Sequence, residues 1–276
     1  MSMVTLPAPQ PEAVSSRMVR DLIERQPLLA WTALVMLVLA VPVALATQID
    51  PRLFNGVSVW TKPFKFLFSV GVYLAMLAWF FGLLRDEARR SRGALALVWV
   101  AIVAGVFEVA YITLQGARGE ASHFNTDTPF AAAMYSLMGV GAVALTACSP
   151  WLAVLLARRG RPDIPPVYRL AVLIGLGLTF ILGATVGGYM GSQPGHWVGG
   201  TASDAAGLPL FGWSRDGGDL RVAHFLGIHA LQILPLAGWW MRGHAWGRAL
   251  VVALATLLSA ATIGTLAQAI LAQPLL

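Results

Sequence analysis

The chain has 276 residues, of which 57% are hydrophobic and 12% are charged, and its mean hydropathy is +0.70. An average soluble domain is about 45–50% apolar and about 25% charged, so this composition excludes an ordinary soluble protein. It also excludes a disordered chain, because apolar surface is abundant and the net charge of +6 is modest. A multi-span membrane protein remains.

The first predicted element is a cytoplasmic N-terminal segment, residues 1–27, whose amphipathic stretch 14–23 is expected to lie on the membrane surface. Residues 28–276 are expected to form one transmembrane domain. A bilayer core takes about 20 mostly apolar residues per helix. That window finds seven spans, at 28–47, 63–84, 94–115, 129–157, 170–190, 222–240 and 249–271. We therefore predict an all-α polytopic fold with seven transmembrane helices.

Basic residues are divided unevenly between the two sides. Thirteen of the 19 Lys and Arg residues precede span 1 or follow spans 2, 4 and 6, and the other six lie in the opposite loops. The positive-inside rule then predicts a cytoplasmic N-terminus and a C-terminus outside. Nucleic acid is not an expected partner, because these cations are scattered over short loops and form no clustered basic face.

Local signals predict helix packing and helix starts. Span 5 carries glycine at every fourth position from Gly183 to Gly191, which lets a neighbouring helix approach closely. Thr61 and Thr128 are each followed by proline within two residues, which is typical of a helix start with a capping hydroxyl. The single cysteine, Cys148, excludes an intramolecular disulfide and a CxxC redox pair.

Glu108 is the most informative residue, because it is the acidic residue that lies well inside a span, where an ionised group costs about 2.5 kcal/mol or more. We expect Glu108 at nearly the same depth as His229 of span 6. A polar cavity shared by spans 2, 3 and 6 at the outer face is also expected, and it requires these three spans to be mutual neighbours. A structural ion pair of Glu108 with Lys65, Arg118 or Arg221 is the alternative to a functional role.

Four of the five histidines, His123, His196, His224 and His229, lie in the predicted outer loops or just inside the following helix. Imidazole and carboxylate ligands suit zinc or non-haem iron. We therefore predict a divalent transition metal held by Glu108, His224, His229 and His123, with haem as the alternative cofactor.

The remaining predicted site residues surround that centre. Glu108 and His229 are expected to be catalytic together with Asp219, which would orient a histidine. Polar side chains facing the same outer end are expected to bind the substrate, and these are Lys65, Tyr111, Gln115, Arg118, Arg221 and Gln232.

Three segments carry a resemblance, at residues 60–66, 115–125 and 218–232. They begin Trp60-Thr-Lys-Pro, Gln115-Gly-Ala-Arg and Gly218-Asp-Leu-Arg, and together they resemble a bacterial family of multi-span membrane proteins. The resemblance implies a bacterial inner membrane location and brings no catalytic assignment. A weaker similarity to seven-span zinc hydrolases of the ceramidase and progestin-receptor type is limited to span count and outer His/Asp content, and span 7 lacks the HxxxH of that group.

These observations predict a metal-dependent integral membrane enzyme, a hydrolase or an oxidoreductase, with an outward-facing His/Glu site for a lipid-like or small apolar substrate. Two alternatives stay open. One is a haem-binding or quinone-linked redox protein, and the other is a small-molecule transporter or receptor in which Glu108 is a proton relay. The bilayer is the expected partner, and self-association into a homo-oligomer is left open.

Overall fold

The computed structural model describes residues 14–276 and is mostly helical. The part of the predicted N-terminal segment at residues 1–13 lies outside the described residues. The helices are α1 Val14–Arg25, α2 Pro27–Ile49, α3 Thr61–Phe81, α4 Asp86–Arg89, α5 Arg92–Arg118, α6 Pro129–Arg159, α7 Pro166–Gly191, α8 Leu220–Ile228, α9 Ala230–Trp240 and α10 Gly247–Ile270. A 3₁₀ turn, Met241–Gly243, follows α9.

Six of these helices, α2, α3, α5, α6, α7 and α10, are long and apolar enough to cross a membrane. The pair α8 and α9 makes a seventh if the two are counted as one span. The predicted all-helical, multi-span class is therefore confirmed at this level.

The sixth predicted span is not one straight helix. It bends by 42° between α8 and α9, with His229 at the junction. The junction lies between Gly227 and Pro235, and these two residue types are the least favourable in a helix. Thr179 of α7 donates a hydrogen bond to the carbonyl of Ile228 at 3.4 Å, which satisfies a backbone group at the break.

Of the two predicted helix starts, one is confirmed in detail. Thr128 is the N-cap of α6, since its Oγ1 accepts a hydrogen bond from the amide of Ala131 at 3.1 Å. At α3 the prediction of a Thr61 cap is wrong, because the cap is Trp60 and no side chain caps the helix. Trp60 Nε1 instead donates to Asp50 Oδ2, which ties α3 to the end of α2.

Helices that are consecutive in the chain also pack together. The contacts run from α2 to α3, α5, α6 and α7, and α7 then packs on α8 and α9, with α10 against all three. Within the described part of the chain, α5 and α8 share no such interface, so the expected mutual contact of spans 2, 3 and 6 is not formed. Each helix instead buries its apolar side against its neighbour in sequence, which short connections favour.

The predicted glycine stripe of α7 is an interface, as expected. A Cβ added at Gly183 would come within 2.9 Å of Ile228, and one added at Gly187 would come within 3.0 Å of the His224 ring. The absence of side chains therefore lets α8 lie directly on α7.

At one end of the bundle, which we call the arginine end, short connections join α3 to α5, α6 to α7 and α9 to α10. Here four arginines donate to carbonyls at the last turns of α3, α6 and α9, where the helix dipole favours cations. The pairs are Arg25 with Trp79, Arg89 with Gly82, Arg169 with Ala157 and Arg242 with Trp239, at 3.2, 3.0, 2.9 and 2.5 Å.

The opposite end, which we call the loop end, is covered by segments 50–60, 119–128 and 192–219. The first contains a hairpin of β1 (Leu53–Phe54) and β2 (Val57–Ser58), and its Asn55-Gly56 turn has φ values of 51° and 81°. Both residues need φ above zero there, which Asn and Gly adopt most readily. Strands β3 (Trp197–Val198) and β4 (Gly218–Asp219) pair in the third segment.

Candidate functional site

Glu108 lies in α5, ten residues before the helix ends, and therefore about 15 Å below the loop end. Its side chain is buried, with the residue 3% exposed. Within residues 14–276, Oε1 has no hydrogen-bond partner. The carboxyl faces α6 at Gly141, where an added Cβ would lie 2.6 Å from Oε1. Glycine at this position makes the room that the carboxyl occupies.

Two lysines of α3 lie above Glu108 at the loop end. Lys65 Nζ donates to the carbonyl of Phe211 at 2.8 Å and so ties the third loop segment to α3. Lys62 lies within electrostatic range of Glu108, Asp204 and Arg221. Its ammonium makes no hydrogen bond or ion pair with the residues that the structure describes, and its closest ring is Phe66, at 6.0 Å. Of the described cations, Lys62 is the one whose charge acts on Glu108.

Arg221 joins α8 to the third loop segment. Its guanidinium binds Asp219 at 2.6 Å, Asp204 at 2.8 Å and the carbonyl of Gly212 at 2.7 Å. Asp219 also caps α8 and accepts from the amide of Ser214 at 2.9 Å. Both proposed roles, substrate binding by Arg221 and histidine orientation by Asp219, remain predictions, while the visible contacts of these residues hold the loop in place.

His123 is set among aromatic rings between α3 and α6. Its ring centroid lies 5.9 Å from that of Phe66 and 6.1 Å from that of Tyr135, and Nδ1 is 3.1 Å from Ser122 Oγ. Burial, together with the charge of Lys62, lowers the pKa of His123 to about 3. His123 is therefore neutral in the folded protein at physiological pH.

His196 is the histidine that contacts a carboxylate. Its Nε2 lies 3.5 Å from Asp204 Oδ1, and its ring contacts that of Trp197 in a tilted arrangement with centroids 3.8 Å apart. Burial lowers the pKa of His196 despite the neighbouring carboxylate. Burial alone would raise the pKa of Asp204, but hydrogen bonds and charge from His196 and Arg221 outweigh it and lower that pKa.

The two predicted ligands of span 6 point in different directions. The ring of His224 packs on α7, and its Nδ1 is buried without a hydrogen-bond partner in the described chain. His229 stacks on Phe225 at 3.8 Å and its Nδ1 lies 2.7 Å from the Phe225 carbonyl oxygen. Gln232, one turn further on, has a buried Oε1 that likewise lacks a partner in residues 14–276.

The other predicted substrate residues lie on α5. Tyr111 packs in an apolar cluster with Ile112 and Met138. Gln115 donates to the carbonyl of Ala121 at 3.1 Å, and the exposed Arg118 pairs with Glu120 at 2.9 Å. These contacts fix the second loop segment at the end of the helix and leave Arg118 away from Glu108.

The structure does not bring the four predicted metal ligands together. In the part of the chain that is described, no group of three or more His, Cys, Asp or Glu side chains could hold a metal ion. Glu108 faces α6, His224 faces α7, and His123 lies among aromatic rings, so the donor set does not fit a shared metal. The metal centre stays a prediction that the geometry does not support.

Sequence reasoning overlooked two groups. Asp204 binds both Arg221 and His196, but it lies in an irregular loop where no periodic pattern marks it. Ser149 of α6 is fully buried and hydrogen bonds to the hydroxyl of Tyr73 at 2.8 Å, and that hydroxyl also donates to the carbonyl of Leu145. The one sequence feature that could have drawn attention to Ser149 is its position just before Pro150, inside a predicted span.

Two clefts are resolved at the bundle ends. One is lined by Asp219, Thr265 and Gln268 beside α10, and the other lies at the arginine end. Neither of these two clefts includes Glu108.

No protein-family model matches the sequence, and no curated protein or solved structure matches it either.

Proposed function

We propose that this protein is a membrane transporter or receptor for a small ligand in which Glu108 binds and releases a proton on the side of the loop end. The proposal includes the orientation from the charge distribution, with the N-terminus cytoplasmic and the loop end outside the bacterial inner membrane. Of the functions that the sequence left open, this is one that needs no assembled metal centre.

The carrying observation is the buried Glu108 side chain, whose Oε1 has no hydrogen-bond partner in residues 14–276. An unpaired ionised group in an apolar interior is strongly disfavoured, whereas the neutral, proton-carrying form is tolerated there. An acidic group in a span faces the bundle interior and marks a functional pathway more often than it serves packing. Gly141 supports this function, because it leaves space on α6 for the carboxyl.

In this proposal the proton reaches Glu108 through the charged and titratable side chains of the loop end. Lys62 lies within electrostatic range of Glu108 and of the Asp204–Arg221 pair, and His123 lies within range of Lys62. The titratable groups of the loop end thus lead from the third loop segment toward α5. Below Glu108, the hydroxyls of Tyr73 and Ser149 are the next polar groups between α3 and α6.

The metal-dependent enzyme and the haem-binding or quinone-linked protein remain predictions from the sequence. No specific contact in the structure favours either of them over proton binding. The proposed site therefore contains Glu108 and Lys62, with His123 and Arg221 in supporting positions.

Infrared difference spectroscopy of the purified protein between pH 9 and pH 5 tests the proposal. Exposed Glu side chains titrate near pH 4.3 and contribute little in this range. We expect a protonated-carboxyl band in the wild-type spectrum that Glu108→Gln removes and that the matched control Glu87→Gln, an exposed glutamate of α4, retains.

A second variant separates proton binding from a structural ion pair. If Glu108 is permanently ionised and held by Lys62, the wild type has no such band and Lys62→Met creates one, which would overturn the proposal. A pH-sensitive dye enclosed in proteoliposomes then tests transport, since a transporter collapses an imposed pH gradient faster than Glu108→Gln does.

A further inference from the structure

Helix α1 packs on the bundle along part of its apolar side. At 100° per residue, four of its apolar residues fall within an arc of about 140°, and these are Met18, Val19, Leu22 and Ile23. Leu22 and Ile23 pack against the buried core. Met18 and Val19, one turn earlier on the same side, are 58% and 40% exposed. The apolar side of α1 therefore continues past the edge of the bundle.

The contacts at the end of α1 place this helix at the arginine end. Arg25, its last residue, donates to the carbonyl of Trp79 at 3.2 Å, and a Cβ added at Gly82 would meet the Arg25 side chain. α1 therefore ends on the last turn of α3. Gln26 then has an extended backbone (φ −156°, ψ 95°), and α2 begins at Pro27. Since α2 and α3 are both long and apolar enough to cross a membrane, α1 lies at the level where these spans reach the headgroups.

The other side of α1 is charged. Arg17, Asp21 and Glu24 are exposed and lie outside the apolar arc. A helix divided in this way lies in the plane of a membrane surface, with its apolar side at the boundary between headgroups and acyl chains. A stable protein partner needs about 1,000 Å² of buried surface, which is far more than Met18 and Val19 offer. A lipid surface is therefore the occupant that fits this face.

We propose that α1 is an interfacial helix that inserts Met18 and Val19 into the phospholipid leaflet at the arginine end. The inserted face continues the interface that Leu22 and Ile23 already form with the bundle. Arg25 fastens the end of the helix to α3, so the inserted side chains stay beside the spans. The proposal is independent of Glu108.

Spin labels on single introduced cysteines measure the depth of α1 in the full-length protein, reconstituted in nanodiscs of phosphatidylcholine and phosphatidylglycerol. The native Cys148 is buried and should stay unlabelled. Labels at Met18→Cys and Val19→Cys should collide with oxygen more than with a water-soluble nickel chelate, at a depth of about 5–10 Å. Labels at Arg17→Cys and Glu24→Cys, on the charged side, are the matched controls and should show the reverse.

Trypsin gives a second measurement, because Arg17 is the first lysine or arginine of the chain. Met18→Gln/Val19→Gln keeps side chains that tolerate a helix but removes the apolar contact with lipid. We expect this variant to be cleaved after Arg17 about 10-fold faster than the wild type in the same nanodiscs. Asp21→Asn/Glu24→Gln changes two positions on the charged side and should be cleaved as the wild type is.

Three results would overturn the inference. Equal collision of the Met18 and Arg17 labels with the nickel chelate would mean that α1 lies in water. A Met18 label that neither oxygen nor the chelate reaches would mean that protein, and not lipid, covers this face. Equal cleavage rates of the two double variants would mean that Met18 and Val19 do not hold α1 on the membrane.

Discussion

The two ends of the bundle use charge in opposite ways. At the arginine end, guanidinium groups bind helix carbonyls, as Arg25 does at Trp79 and Arg169 does at Ala157. At the loop end, charged side chains bind one another, and Arg221 joins two carboxylates of the third loop segment. The difference follows from chain direction, because α3, α6 and α9 end at the arginine end and expose carbonyls there.

This comparison shows why cations alone do not identify a site. Arginines at helix ends have structural partners already, so they carry little functional information. In the described chain, Glu108 Oε1 is among the few buried side-chain atoms that have no hydrogen-bond partner. The charge of Lys62 acts on it, and our proposed function rests on this pair.

The largest expected effect comes from removing the cation of the loop end. Arg221→Gln leaves Asp204 and the nearly inaccessible Asp219 without their partner, so we expect a loss of about 3 kcal/mol or more in the free energy of unfolding. Thermal unfolding in detergent measures it. The exposed Arg215→Gln is the control, and an equally small change in both variants would show that Arg221 holds nothing in place.

The next largest change in stability is expected where α5 packs closely on α3. A Cβ at Gly116 would meet Pro63 at 2.6 Å and the carbonyl of Val59 at 2.9 Å, whereas one at Gly139 would meet nothing within 4 Å. We expect Gly116→Ala to destabilise the protein by about 1–3 kcal/mol. Gly139→Ala should stabilise it by up to about 1 kcal/mol through helix propensity. Unfolding midpoints compare the two, and indistinguishable midpoints would contradict the predicted contact of α5 with α3.

The loop end should also lose stability in mild acid. Burial and Lys62 lower the pKa of His123 to about 3, below the value near 6.5 of the unfolded chain, so the unfolded state takes up the proton first as the pH falls. The contribution of neutral His123 to the free energy of unfolding is present above pH 6.5 and is lost progressively toward pH 3. Between pH 6.5 and 5 the loss is about 2 kcal/mol.

His123→Gln should make the unfolding free energy less dependent on pH over that range. The exposed His244→Gln, at the arginine end, should leave the wild-type slope unchanged. Parallel slopes for all three proteins would mean that His123 takes up its proton in the folded state as readily as in the unfolded one.

The smallest effect is expected at the arginine end. Arg25→Gln removes a guanidinium that lies 4.0 Å from the ring centroid of Trp79 and donates to its carbonyl, and we expect a loss of about 1 kcal/mol. Arg17→Gln, on the exposed side of α1, should cost less than half of that. A loss as large as that of Arg221→Gln would contradict the distinction between the two ends.

Much of the fold was predictable, because span length and helix packing depend on local patterns. Six of the seven apolar windows correspond to helices that are long and apolar enough to span a membrane, and the sixth window corresponds to the bent pair α8 and α9. The glycines of α7 lie at the interface that their spacing indicated. The bend at His229 was not predicted, because hydropathy alone does not separate a straight span from two half-spans. Asp204 was missed for a different reason, since its partners are separated from it by irregular loop.

The sequence by itself determined which segments are apolar enough to enter a membrane, and it determined that one carboxyl would lie inside a span, because both follow from residue type and order. Only the tertiary structure decided what that carboxyl meets. Glu108 was expected opposite the histidines of span 6, but α5 packs on α3 and α6, so the carboxyl lies against Gly141. The depth of a side chain in the bundle is set by its position along the helix. The direction in which it points depends on which neighbouring helix packs against each face of that helix.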